Sequence, residues 1–191
     1  MTSPLKPAVF LDRDDTIMGC DEVVEHGDMG YPELVQLLPG AKEALQHLSD
    51  AGFTLVVATN QGGVARGRYP EDAVHAVHDR LNELLGGLIT AFRFCPYHPL
   101  GTVPAYTTEH PWRKPQPGML LDAASEHGLD LNSSWMVGDK LRDCQAGRAA
   151  GCRTVLIGPQ AGAHDGEESV DYIAPDLAEA ATIILQRSSG D

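Results

Sequence analysis

Long apolar runs are missing from this 191-residue chain. Its longest, such as Ala8 to Leu11, span a handful of residues, whereas crossing a bilayer takes about 20, so no membrane-spanning helix is expected. Met1 to Pro7 are polar and lead straight into an apolar strand, so no secretory leader is expected either. Cysteine is sparse and dispersed: Cys20, Cys95, Cys144 and Cys152 form no CxxC pair, which argues against a disulfide framework. Positive charge is short as well. There are 14 Lys and Arg against 27 Asp and Glu, a net charge of −13, which excludes broad non-specific binding to nucleic acid or anionic membranes. These deficits predict a cytoplasmic protein with neither a nucleic-acid nor a membrane partner; a monomer is the expected state, with nothing in the composition bearing on it.

What is present is ordinary for a globular chain: 42% hydrophobic and 21% charged residues, enough for one domain spanning 1–191 to bury a core. Apolar runs and helical periodicity alternate. Strands are expected at Ala8 to Leu11, Phe53 to Ala58, Ile89 to Phe94, Ser134 to Val137, Thr154 to Ile157 and Tyr172 to Ala174. Helices are expected at Gly40 to Ala51, Pro70 to Leu85, Met119 to Gly128, Asp143 to Ala150 and Leu177 to Gln186. Residues 95–117 hold six of the thirteen prolines and read as an irregular loop. Ala161 to Ser169 and the 187–191 tail read as mobile. The alternation predicts an α/β fold with a central parallel sheet and helices on both faces.

Such sheets bind ligands at the carboxyl ends of their strands. Three polar clusters follow predicted strands directly: Asp12 to Thr16, Thr59-Asn60-Gln61 and Gly138-Asp139. The fold would gather them at one edge. Asp12 and Asp14, two residues apart beyond a buried strand, repel each other unless a cation joins them. With Asp139 arriving from another strand, the site is rich in oxygen and poor in nitrogen or sulfur, which favours Mg²⁺ over zinc. Taken singly, each Asp is as well explained as a turn former; the three together are not. An acidic protein that binds phosphate must also supply local cations.

These residues match a family. DRDDT at 12–16, Thr59, Lys114 and GDKLRD at 138–143 resemble, in order and spacing, the four motifs of the haloacid dehalogenase (HAD) superfamily over nearly the whole chain. The resemblance implies a Rossmann-like fold and a phosphatase in which Asp12 attacks phosphorus and Asp14 serves as general acid and base. It implies that Thr59 and Lys114 bind phosphoryl oxygens, with Asn60 and Gln61 beside them. Asp12, the Asp14 carbonyl and Asp139 would hold Mg²⁺, and Asp143 would support that site from behind. One departure falls inside the first motif, where Asp15 replaces the usual glycine.

A closer resemblance is carried by TNQGGVARG (59–67), HDRLNELL (78–85), CPYHP (95–99) and RKPQPGMLL (113–121). It points to the heptose bisphosphate 7-phosphatase and histidinol-phosphate phosphatase group, small enzymes without a separate cap domain. The resemblance makes Arg113 and Lys140 substrate contacts, with Arg66 a further candidate, and an arginine suits a second phosphate. The substrate expected is a small phosphorylated metabolite. The length of the loop before Arg113 favours a heptose 1,7-bisphosphate losing its 7-phosphate over histidinol phosphate or another small phosphate. A silent fold that only binds a phosphorylated ligand is disfavoured by the intact Asp12 and Asp14. The acidic stretch Cys20 to Asp28 departs from the group in a region that contributes substrate contacts.

That loop carries a structural zinc in the group, held by CxH and CxC patterns. Here Cys95 matches the first ligand, Tyr97 and Trp112 replace two others, and His98 and His110 lie nearby. Three ligands do not close a structural zinc site, so zinc is not expected, and the prolines, Tyr106 and Trp112 pack the loop instead. His75 and His78 read as solvated helix positions, and His47, His127 and His164 as surface residues. Cys144 and Cys152 read as buried small apolar groups.

Overall fold

The computed structural model describes residues 4–20, 24 and 28–188. Six parallel strands form one sheet in the order β3-β2-β1-β4-β5-β6. They are β1 (Ala8–Leu11), β2 (Thr54–Asn60), β3 (Ala91–Cys95), β4 (Trp135–Gly138), β5 (Arg153–Ile157) and β6 (Tyr172–Ala174). The helices are α1 (Ala41–Asp50), α2 (Glu71–Leu85), α3 (Gly118–His127), α4 (Leu141–Ala150) and α5 (Leu177–Ser188).

Strand β1 sits in the middle, and every one of its residues is buried because both sheet faces are covered. Its side chains alternate between them. Val9 and Leu11 join Leu45, Leu48, Leu81 and Ile184 from α1, α2 and α5, whereas Ala8 and Phe10 join Met119, Ala123 and Met136 on the side of α3. Leu11 pairs with Val57 of β2 and Val137 of β4, so Asp12, Thr59 and Asp139 lie at the same end of the sheet, with β2 running on to Asn60 alongside β3. The chain order reverses at β1, and the crevice there is where such sheets take ligands.

Most predicted elements lie within two residues of their observed bounds. Helix α4 begins at Leu141 rather than Asp143, because Asp143 occupies its third position. There its Oδ2 accepts a hydrogen bond from the Lys140 amide at 3.0 Å, half of a capping box. Helix α5 runs through Ser188, so Arg187 and Ser188 are helical rather than tail, and 189–191 lie outside the described residues. In the 161–169 stretch, Ala161 to His164 form a short 3-10 turn whose Ala161 packs beside Cys144 and Leu156. Most of the acidic stretch from Cys20 to Asp28 lies outside the described residues.

Asp15 stands at φ 55, in the left-handed region. The backbone there explains why glycine suits the position, and aspartate is among the few residues that tolerate it. Its Oδ1 accepts a hydrogen bond from the Cys20 amide at 2.8 Å, which helps hold the turn.

His78 is a correction. Far from being solvated, it is buried, with its ring stacked on Phe92 at 4.5 Å. The third-and-fourth spacing of α2 places it on the core stripe with Val74, Val77 and Leu81. Burial, aided by the charges of Arg13 and His75, pushes its pKa well below the ordinary 6.5. The folded state therefore binds fewer protons at this site than the unfolded chain. The stability contribution is complete above pH about 6.5 and declines below it by up to about 1.4 kcal/mol per pH unit, until the folded pKa is reached. In urea unfolding at pH 7 and pH 5, His78→Phe is expected to reduce the loss of stability between the two pH values. An unchanged loss would contradict this.

Candidate active site

The end of β1 delivers Asp12, whose amide donates to the Val137 carbonyl at 2.9 Å, so the neighbouring strand fixes where its side chain starts. Asp12 Oδ1 then meets the Lys114 ammonium at 2.9 Å and the Arg13 amide at 2.8 Å. The Lys114 side chain is fully buried. Its Nζ also reaches Asp143 Oδ1 at 2.7 Å and donates to the Ala58 carbonyl at 2.7 Å. Burial alone would push the Asp12 carboxyl up, but the ammonium beside it more than reverses this and holds it below its usual range. Burial opposes the lysine's charge too, and the two carboxylates overcome that and raise its pKa. Asp143 goes the other way: burial, with the charge of Asp12, raises it despite Lys114.

Two devices bring these groups together. Asn60, at the end of β2, clamps the backbone of Lys114 in both directions, donating to its carbonyl and accepting from its amide at 3.0 Å each. Gly138 lets Asp143 close in, since a Cβ at that glycine would lie 2.4 Å from Asp143 Oδ2. Asp139, next in the chain, completes a cluster with Asp12 and Asp143 in which one ligand oxygen from each lies within 4.8 Å of the others. Burial and the charge of Asp12 push the Asp139 carboxyl up to about 7 although Lys140 Nζ stands 2.8 Å from its Oδ2. Its Oδ1 is buried with no hydrogen-bond partner among the described residues. An unpartnered oxygen in a knot of crowded carboxylates fits a hard divalent cation such as Mg²⁺.

Asp14 is held differently. Arg13 folds beneath it, with Nε donating to Oδ1 at 2.9 Å and Nη2 to Oδ2 at 3.1 Å, and also bonds the Met29 carbonyl. Gln61 Nε2 adds a bond to Asp14 Oδ2 at 2.8 Å and another to Thr59 Oγ1 at 2.9 Å, while Tyr69 donates to Gln61 Oε1. The structure thus places Asn60 and Gln61 chiefly as orienting groups for Lys114 and Asp14. Arg13 and Tyr69 were missed by sequence reasoning, because a buried arginine between two aspartates reads like any charged strand end.

Thr59, Asn60, Arg66, Arg113, Asp139 and Lys140 line one open cleft of about 280 Å³ with Asp12 and Asp14. Arg66 forms an ion pair with buried Asp28, which Arg68 also contacts at 2.8 Å. Asp28 and Arg142 line the cleft too. Sequence reasoning assigned neither a role, although Arg142 lies inside the GDKLRD motif. The structure does not gather Cys95, His98 and His110: His98 Nδ1 accepts from the Leu100 amide and His110 Nδ1 from the Trp112 amide. The His110 ring stacks on Tyr97 at 4.3 Å, Tyr106 lies 5.7 Å from Tyr97, and Trp112 meets His110 edge-on.

Comparison with known proteins agrees with this geometry. A HAD-hydrolase-like family model matches residues 111–180. The D-glycero-D-manno-heptose-1,7-bisphosphate 7-phosphatase of Thermosynechococcus vestitus is 43% identical over 191 aligned residues, covering 92% of this chain and 93% of that one. The D-glycero-beta-D-manno-heptose-1,7-bisphosphate 7-phosphatase of Yersinia pestis is 36% identical, covering 95% and 96%. The crystal structure of a D,D-heptose 1,7-bisphosphate phosphatase from B. bronchiseptica, complexed with magnesium and phosphate, superposes with a TM-score of 0.80. It is 32% identical and covers 95% of this chain and 99% of that one.

Removing the lysine should expose how much of the site depends on it. Lys114→Met leaves Asp12 and Asp143 buried without their shared cation, and breaking such a pair costs about 3–5 kcal/mol. Urea unfolding of this variant is expected to show a loss of that order. A loss under about 1 kcal/mol would mean that the carboxylates find other partners.

Proposed function

Because the chain belongs to the heptose-1,7-bisphosphate 7-phosphatase family of HAD-like phosphatases, we propose that it hydrolyses the 7-phosphate of a heptose 1,7-bisphosphate through an aspartyl-phosphate on Asp12. The observation that carries this reading is the pairing, at one strand end, of a buried carboxylate held ionised by Lys114 with a second carboxylate, Asp14, oriented into the same cleft.

In the first step an Asp12 carboxylate oxygen bonds to phosphorus as the bond from phosphorus to the C7 oxygen breaks. Asp14 gives its proton to that leaving oxygen. In the second step Asp14 takes a proton from water, whose oxygen bonds to phosphorus. The Asp12–phosphorus bond breaks, releasing inorganic phosphate and restoring the carboxylate. Thr59 Oγ1, which accepts from Gln61, keeps its own proton to donate to a phosphoryl oxygen. Lys114 offsets the repulsion between nucleophile and phosphate, and Asp143 keeps it in place. Mg²⁺, held by Asp12, Asp139 and the Asp14 carbonyl, would supply further charge neutralisation for the phosphoryl group. Arg66, Arg113 and Lys140 are the substrate contacts.

We place the reaction in the cytoplasm, with a monomer acting on a small phosphorylated sugar and on neither nucleic acid nor membrane. All four cysteines are buried, and Cys95, Cys144 and Cys152 are free thiols, as suits a reducing compartment. No helix among the described residues is long and apolar enough to cross a membrane.

Kinetic comparison of heptose 1,7-bisphosphate anomers, fructose 1,6-bisphosphate and histidinol phosphate with Mg²⁺ should show the highest kcat/KM for a heptose bisphosphate. Asp12→Asn should abolish phosphate release from these and from p-nitrophenyl phosphate. No turnover across the panel would leave a phosphate-binding protein, and preference for histidinol phosphate would replace the substrate. We further propose that the aromatic stack of Tyr97, His110 and Trp112 closes the loop in place of zinc. Elemental analysis of the purified protein should then find zinc well below one ion per chain, and one zinc per chain would overturn the proposal.

A further inference from the structure

We infer that Arg142 is a specificity-determining residue of this cleft, completing with Arg113 and Arg66 a subsite for a second phosphate on the substrate. The inference rests on the phosphatase reading above and adds to it the residue that selects a bisphosphate.

The geometry starts at Gly62. A Cβ built there would lie 3.0 Å from Arg66 Nη1 and 3.5 Å from Arg113 Nη1, so two guanidinium groups hang over the same bare stretch of backbone. Arg113 and Lys114 are consecutive but diverge. Lys114 turns down onto Asp12, whereas Arg113 donates from Nη1 to the Tyr97 carbonyl at 3.2 Å and forms no ion pair among the described residues. Arg142 approaches from the first turn of α4 and lines the same cleft. It is exposed and makes no hydrogen bond or ion pair among the described residues, in a chain where acidic residues outnumber basic ones 27 to 14. A cation at the second position of a helix opposes the helix dipole; the Arg142 charge acts instead on the nearby carboxylates, favouring the charged forms of Asp12 and Asp143 without an ion pair to either among the described residues.

The three charges feel one another. The Arg113 pKa is lowered by burial and then by the positive charges of Arg142 and Arg66. Of the three, only Arg66 pairs with a carboxylate among the described residues, Asp28, and Arg68 shares it. Arg113 has no carboxylate in an ion pair among the described residues, and Arg142 acts on Asp12 and Asp143 without pairing with either, so an anion between the guanidinium groups would relieve their mutual repulsion. Planar guanidinium forks match phosphate oxygens two at a time. The phosphoryl group undergoing transfer is already served by Lys114, Thr59 and the metal-binding carboxylates. The arginine wall is therefore left for a second, non-reacting phosphate.

The test measures binding apart from turnover. In the Asp12→Asn background, calorimetry with fructose 1,6-bisphosphate and Mg²⁺ should show affinity about 10-fold or more weaker after Arg142→Ala, with Arg142→Lys recovering part of it. The loss for inorganic phosphate should be smaller by a similar factor. Equal losses for both ligands, or bisphosphate affinity kept within twofold, would overturn the inference. With an active Asp12, Arg142→Ala should raise KM for heptose 1,7-bisphosphate at least tenfold more than for p-nitrophenyl phosphate. Wild-type protein that binds bisphosphate through Arg142 yet does not hydrolyse the heptose compound would refute the substrate and keep the subsite. Turnover of the heptose bisphosphate that is indifferent to Arg142 would do the reverse.

Discussion

A single ammonium group, that of Lys114, stands between two buried carboxylates, and much of the site is arranged to keep it there. Asp12 lies 2.9 Å away on one side and Asp143 2.7 Å away on the other. Taking three such charges out of water is expensive, and their attraction offsets that cost only when the geometry is good and spare valences are satisfied. Here the Ala58 carbonyl takes a further proton of the ammonium, Asn60 pins the lysine backbone, and Gly138 makes room for Asp143. The nucleophile proposed at Asp12 and a buried ion triad are thus one feature. Its stability depends on a loop, residues 95–117, that folds over from beyond β3.

The same economy of charge runs through the cleft. The chain is acidic overall, yet Arg66, Arg113, Lys140 and Arg142, from three separate segments, line its cleft. Some pair with carboxylates, as Arg66 does with Asp28 and Lys140 with Asp139. Others, Arg113 and Arg142, have no carboxylate partner among the described residues.

Legibility followed chain locality. The strand and helix pattern could be read because apolar periodicity is a local property, and so could Asp12, Asp14 and Asp139, each directly after a strand. The family resemblance added Lys114, which no local signal places beside Asp12. His78 was misread because its own ring is polar: its spacing from Val74, Val77 and Leu81 already put it on the inward stripe, and the stacking on Phe92 of β3 shows that stripe buried. Arg13 and Arg142 sat within motifs already quoted, and their partners, or lack of them, depend on segments far away in sequence.

By itself, then, the sequence determined the alternating architecture, the carboxylate chemistry at the strand ends and the shortage of positive charge that any phosphate site must overcome. Tertiary structure decided which cations neutralise which carboxylates. It also decided that Asp15 serves at a left-handed turn, and that Tyr97 and His110 stack where the related group places metal ligands. The physical reason is range. Propensity and periodicity act over a few residues, whereas burial, ion pairing and ring stacking depend on which distant segments the sheet order brings within about 4 Å.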